Sequence, residues 1–232
     1  RTSGGSSGGA AVALALRMLP VADGSDMMGS LRNPAGWNNV IGFRPTLGTV
    51  PGDGPDYTDL LSTAGPMARS VPEAARLLST MAGYDPRDPL SLDLDPERFA
   101  APLDMDTKGL RIGWLGDYDG YLPMQAGALS LCRDALRHFE AIGCEVVDAS
   151  PDFDMARLWQ AWLTLRHWST AAWAGEIYRD PSRRAQLKPE LVWEIEGGLG
   201  LSGAQVSEAM AARARWYAAI SARFQKFDYL VL

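Results

Sequence analysis

Two serines in glycine-rich settings, separated by one apolar run, constrain this chain more than any other feature. Residues 4–9 read Gly-Gly-Ser-Ser-Gly-Gly and residues 26–32 read Asp-Met-Met-Gly-Ser-Leu-Arg. Ser6 and Ser30 are 24 positions apart. Between them, residues 10–19 are apolar at nearly every position and contain no Gly or Pro. That pattern predicts a buried helix of about ten residues. A buried helix framed by two glycine-rich turns can double back and carry both hydroxyls to one place.

Downstream, Pro34 and Gly36 stop a long helix from propagating, so a short turn is expected to lead into a strand at 40–44, ended by Pro45. Gly, Pro, Asp and Thr dominate residues 47–64, a loop signature with turn signals at Pro51-Gly52 and Asp53-Gly54-Pro55. Ser70 and Glu73 have the spacing of a capping box, and Pro72 is tolerated in the first turn of the helix they open. Ala74, Leu77, Leu78 and Met81 give that helix an apolar face, and Gly83 closes it. Residues 84–108, rich in Pro and Asp, read as a surface excursion. A strand at 109–115, a helix at 125–142 and a strand at 144–147 then form a βαβ unit, which calls for a parallel pair. Helices near 155–178, 189–196 and 203–227 precede a last strand at 229–232. Trp159, Trp162, Trp168 and Trp173 concentrate in the first of these, as core packing or as the wall of an apolar pocket. The order of elements predicts an α/β fold with a mixed, largely parallel central sheet flanked by helices, in one domain over 1–232.

Composition excludes several classes of function. The formal net charge is −6 and the Lys and Arg residues are scattered, so no basic patch is available to follow nucleic-acid phosphates. No uncharged apolar run reaches the length of about 18 residues that a membrane span needs. Cys132 and Cys144 are the only cysteines, with neither a disulfide framework nor a zinc spacing. Two reduced thiols suit a cytoplasmic location, and no metal or cofactor is expected.

The motifs occur in a recognisable order: GGSSGG at 4–9, Asp26 with Gly29-Ser30 and Arg32, Pro34, then GFRPT at 42–46 and GPMARSV at 65–71. In this order and spacing the chain resembles the amidase-signature family of serine amide hydrolases. The likeness is dense over 2–82, recognisable at 109–115 and thin after Pro123. It implies hydrolysis of a small-molecule amide without cofactor or metal, by a triad of a nucleophilic serine, a second serine preceded by a cis peptide bond, and a lysine. Ser30 matches the nucleophile and Ser6 the relaying serine. The lysine of the family lies well upstream of the Gly-Ser motif, so 1–232 is expected to be an internal fragment, inactive alone, that also lacks a C-terminal part. A homodimer is compatible with the resemblance.

The residues themselves suit this chemistry. Amide hydrolysis needs a nucleophile, a base and donors aimed at the oxyanion. The N–H groups of Met27, Met28, Gly29 and Ser30 share one tight turn and are expected to converge on that oxygen. His138 and His167 lie in expected helices among charged neighbours, which disfavours a Ser-His-Asp triad. Lys108, Lys188 and Lys226 lie in no family-like motif and read as solvated. Ser7 and Asp26 match residues that support the turn, and Arg32 one that braces it. Met28 stands where many family members have Gly, and with Trp37 it is expected to line an apolar substrate pocket. The resemblance leaves two alternatives: the amidase component of a tRNA-dependent amidotransferase, and a scaffold that has lost its base. A phosphate cradle is excluded, because no Gly-x-x-x-x-Gly-Lys-Ser/Thr pattern exists.

Overall fold

The computed structural model describes residues 2–52 and 60–232. The turn read at Asp53-Gly54-Pro55 lies outside the described residues. The chain forms two compact units, Arg1–Asp104 and Met105–Leu232. Both contain helices and strands, and the class is α/β.

In the first unit the order is α1 (Gly8–Ala15), β1 (Val21–Asp26), α2 (Arg32–Asn38), β2 (Ile41–Gly42), β3 (Thr63–Ala68) and α3 (Val71–Met81), followed by a 3-10 turn at Pro96–Phe99. The three strands lie in the order β1-β3-β2 and are antiparallel throughout. Val21 pairs with Ala68 and Asp26 with Thr63, so β1 delivers Asp26 to the end of the ladder. Ala11 and Leu14 of α1 bury fully with Leu31 and Met67, and Ala35 of α2 completes the cluster. Close approach needs glycine here. A Cβ at Gly65 would collide with the Phe43 carbonyl oxygen and sit 2.8 Å from Pro45 Cδ.

The helix expected at 10–19 is shorter and shifted. It starts at Gly8 and ends at Ala15, and Arg17 turns the chain with a φ of 59°. Leu16, Met18 and Leu19 are exposed, so the apolar run outlasts the helix and its buried face. Beyond it, Arg69 Nη1 donates to the carbonyls of Leu14 (3.3 Å), which also accepts from the Arg17 N–H, and Leu19 (2.6 Å). The strand expected at 40–44 is reduced to β2, because α2 occupies the preceding segment in place of a short turn. Pro34 falls in the first turn of α2, where an N–H would find no helical partner anyway. Asn39 ends the helix in the left-handed region, with a φ of 53°. The capping box forms as expected, with the Ser70 N–H donating to Glu73 Oε2 at 3.1 Å.

The second unit contains β4 (Arg111–Trp114), α4 (Ala128–Ala135), α5 (Arg137–Ala141), β5 (Glu145–Asp148), α6 (Met155–Arg179), α7 (Pro181–Arg184), α8 (Pro189–Leu199), α9 (Gly203–Arg223) and β6 (Tyr229–Val231). The strand order is β5-β4-β6 and every pairing is parallel. The βαβ unit is therefore present, with its helix divided at Leu136. The mixed character lies between the units: the first sheet is antiparallel and the second parallel. Trp159 and Trp162 stack at 5.0 Å between ring centroids, and Trp159 and Trp173 remain exposed.

The packing at Gly65 generates a direct test. Gly65→Ala should destabilise the chain by about 1–3 kcal/mol through overpacking against a backbone oxygen that cannot move freely. Gly203→Ala, where a Cβ meets nothing within 4 Å, is the control, expected within about 0.5 kcal/mol of wild type. Urea unfolding of both variants checks this, and equal midpoints would contradict the packing described.

Candidate active site

β1 carries Asp26 into the protein with no exposed surface at all. A buried carboxylate is tolerable only when its oxygens are satisfied. Oδ1 accepts from the Gly29 N–H at 2.8 Å and from Arg32 Nη2 at 2.9 Å. Oδ2 accepts from Arg32 Nε at 2.9 Å, the Leu31 N–H at 3.2 Å and the Arg32 N–H at 3.4 Å. The carboxylate thus folds residues 29–32 around itself, and α2 starts from that turn, with the Asn33 N–H donating to the Gly29 carbonyl at 2.6 Å. Gly29 has a φ of 98°, a conformation that side chains resist. Burial by itself would raise the Asp26 carboxyl. The hydrogen bond and charge of Arg32, with the N–H groups of Gly29 and Arg32, outweigh it and hold the carboxyl far below the usual range.

The Gly-Ser-Ser-Gly loop is docked on this turn from the other side. The Ser7 N–H donates to the Ser30 carbonyl at 3.3 Å, and Ser7 Oγ donates to the Ser25 carbonyl at 3.5 Å. Asn38 Nδ2, on α2, donates to the Ser3 carbonyl at 2.8 Å. Glycine permits the contact at both faces. A Cβ at Gly24 would lie 2.5 Å from Ser7 Oγ, and one at Gly4 would lie 2.5 Å from Asn33 Oδ1 and 3.0 Å from Trp37 Cδ1. The peptide between Gly5 and Ser6 is cis. Loop and turn therefore meet at one place in the fold, next to α2.

The structure brings Ser6, Ser7, Asp26, Ser30 and Arg32 into this one region, with Ser6 exposed and Ser30 half-buried. Neither the Ser6 nor the Ser30 hydroxyl has a hydrogen-bond partner among the described residues, so both are available to another group. One expectation needs correction. Gly29 cannot serve as an oxyanion donor in this arrangement, because its N–H is committed to Asp26. The N–H groups of Met28 and Ser30 have no partner among the described residues and remain available. Met28 and Trp37 are 58% and 63% exposed and present apolar surface in this chain. Sequence reading also missed Arg44, whose Nε lies 3.3 Å from Asp26 Oδ1 and donates to the Asp26 carbonyl at 3.3 Å. A buried acid followed by a motif arginine, in GFRPT, was the available signal.

A family model described as Amidase matches residues 1–232. The chain belongs to the amidase family. Its curated relatives include a glutamyl-tRNA(Gln) amidotransferase subunit of Pseudomonas syringae pv. syringae (strain B728a), 43% identical over 150 residues that cover 63% of this chain and 30% of the relative. The corresponding protein of Deinococcus radiodurans, with the same name, is 36% identical over 202 residues, 86% of this chain and 42% of the relative. Among solved structures, a bacterial aryl acylamidase of the amidase-signature family superposes with a TM-score of 0.85 at 30% identity, covering 97% of this chain and 48% of that one. A 6-aminohexanoate cyclic dimer hydrolase shares the fold, with a TM-score of 0.79 at 24% identity over 97% of this chain and 48% of its own. The chain spans less than half the length of these relatives. Among the described residues no helix is long and apolar enough to cross a membrane, and no His, Cys, Asp and Glu cluster could hold a metal ion.

The depressed Asp26 carboxyl sets an expectation for stability against pH. Its contribution is fully present above about pH 4, the unfolded carboxyl value, and is lost as pH falls toward the lower folded value. Asp26→Asn should cost about 2–4 kcal/mol at pH 7, because it leaves guanidinium and N–H donors facing an amide. The gap between wild type and variant should narrow as pH drops below about 4. Urea unfolding of both proteins at several pH values measures this, and a gap independent of pH would count against the ionised, buried carboxylate.

Proposed function

We propose that the protein containing this chain hydrolyses an uncharged, apolar small-molecule amide through an acyl-enzyme on Ser30. The observation that carries the reading is the docked pair of segments, in which the Ser7 N–H donates to the Ser30 carbonyl and sets the Ser6 loop against the nucleophile turn. In this reading Ser30 Oγ passes its proton to Ser6 and attacks the amide carbon. The oxygen that becomes anionic accepts from the N–H groups of Met28 and Ser30, each donor being worth about 3 kcal/mol in the transition state. The C–N bond breaks as the leaving amine takes up a proton returned through Ser6, and water then releases the acid from Ser30 by the reverse sequence.

The final proton acceptor implied by the family resemblance is a lysine. Lys108, Lys188 and Lys226 lie in no family-like lysine motif, so in this reading that role belongs to a part of the protein outside this chain. Asp26 and Arg32 hold the turn in shape. Ser7, bonded to both the Ser30 and Ser25 carbonyls, holds the loop that carries Ser6. The apolar side chains of Met28 and Trp37, with no charge to pair an ionic group, favour a neutral substrate, and the likeness to an aryl acylamidase supports the same class.

The curated relatives favour a second reading, the amidase component of a tRNA-dependent amidotransferase. Glutamine hydrolysis and a co-purifying partner would select it over the first.

Intact-mass measurement of the full-length protein after a fluorophosphonate probe tests the nucleophile without needing the natural substrate. One adduct is expected on Ser30, absent in Ser30→Ala. Ser6→Ala should slow amide turnover by about 10²–10⁴-fold through loss of the proton path. Met28→Gly should change which acyl groups are accepted more than the rate on the best of them. Labelling at Ser6 with Ser30 unmodified would refute the assignment, and a preference for carboxylate-bearing amides would refute the substrate class.

A further inference from the structure

We infer that Arg44 is a positioning residue for the nucleophile turn, an inference that rests on the acyl-enzyme reading of Ser30. The GFRPT motif supplies Arg44 just beyond β2, and three acceptors converge on its guanidinium. Nε lies 3.3 Å from Asp26 Oδ1 and donates to the Asp26 carbonyl at 3.3 Å, while Nη2 donates to the Leu61 carbonyl at 2.7 Å. The side chain is 31% exposed, against 57% for Arg32.

The two arginines do different work on one carboxylate. Arg32 already neutralises Asp26 with two bonds of 2.9 Å, and it belongs to the turn it braces. Its bonds fix the shape of residues 26–32 but tie them to nothing else. Arg44 is the side-chain partner of Asp26 that comes from outside that turn. The β1–β3 ladder ends at the pair Asp26 and Thr63, and the turn bearing Ser30 continues past that last rung. Arg44 ties the same rung on both sides: to Asp26, side chain and carbonyl, and to Leu61, two residues before Thr63. The segment that carries it is itself held to β3, the Phe43 N–H donating to the Pro66 carbonyl at 3.0 Å. A planar guanidinium can hold three acceptors on two chain segments, whereas a lysine ammonium behaves as a mobile point charge. Arg44 therefore fixes where the turn stands relative to the sheet, and with it the aim of the Met28 and Ser30 N–H groups.

The test uses the full-length protein as wild type, Arg44→Lys and Arg44→Gln. The rate of Ser30 labelling by a fluorophosphonate, kcat and KM on a neutral aryl amide, and Tm are measured, with kinetics taken well below each Tm. Arg44→Gln is expected to lower both the labelling rate and kcat by about a hundredfold, the scale of a small misplacement of reacting groups, while KM changes by less than about threefold. Arg44→Lys should fall between. A lower Tm with labelling and kcat at the wild-type level would overturn the inference, since a purely structural arginine behaves that way. If Arg44→Gln does not fold, Arg44→Lys decides alone, and a wild-type rate in that variant overturns it. Wild-type protein that is not labelled at Ser30 would instead refute the acyl-enzyme reading on which the inference rests.

Discussion

The ionised, fully buried carboxylate of Asp26 is the interaction on which the candidate site depends. An uncompensated charge in that position would cost the fold several kcal/mol, and the chain meets the requirement with three backbone N–H groups and two guanidinium groups. Meeting it determines local structure. Gly29, Leu31 and Arg32 all point their N–H groups inward, with Gly29 in a positive-φ conformation and α2 starting at Arg32, next to the Leu31 cap. It also sorts the turn's donors by use, because the Gly29 N–H goes to Asp26 while those of Met28 and Ser30 stay free among the described residues.

The second constraint is close packing of backbone on backbone. Glycine-rich segments invite a reading in terms of conformational freedom, and at Gly4, with a φ of 74°, that is part of the reason. At Gly24 and Gly65 the reason is space. A side chain at Gly24 would collide with Ser7 and Leu31, and one at Gly65 with Phe43, Pro45 and Leu31. Leu31 thus forms the common floor beneath the Gly-Ser-Ser-Gly loop, β1 and β3, with no exposed surface of its own. The motifs at 4–9, 26–32, 42–46 and 65–71 are far apart in sequence and form one contact network.

Much of this was legible beforehand where the physics is local. The capping box at Ser70 and Glu73, the βαβ unit and the three long helices follow from spacing and periodicity, and all are present. The two serines stood out by their glycine flanks and their order with the later motifs. β1 was not legible. Val-Ala-Asp-Gly-Ser-Asp has one good strand former, and it pairs because β3, some forty residues on, supplies the other half of the ladder. α2 was hidden by Pro34 and Gly36, which argue against a helix until the first-turn position of Pro34 is known. The end of α1 was misjudged because apolar character continues past Ala15, while the turn that follows it is bonded by Arg69, 50 residues beyond Leu19. Arg44 was missed for the same reason: its partner is fixed by sheet register and not by neighbours in sequence.

A crystal structure of the full-length protein carrying a phosphonate on Ser30 tests the central claim, the division of labour within the turn, most directly. The phosphonyl oxygen should lie about 2.7–3.1 Å from the backbone nitrogens of Met28 and Ser30. The Gly29 N–H should still donate to Asp26, which in turn remains paired with Arg32 and Arg44. An oxygen bound by the Gly29 N–H, with Asp26 released from the turn, would contradict it.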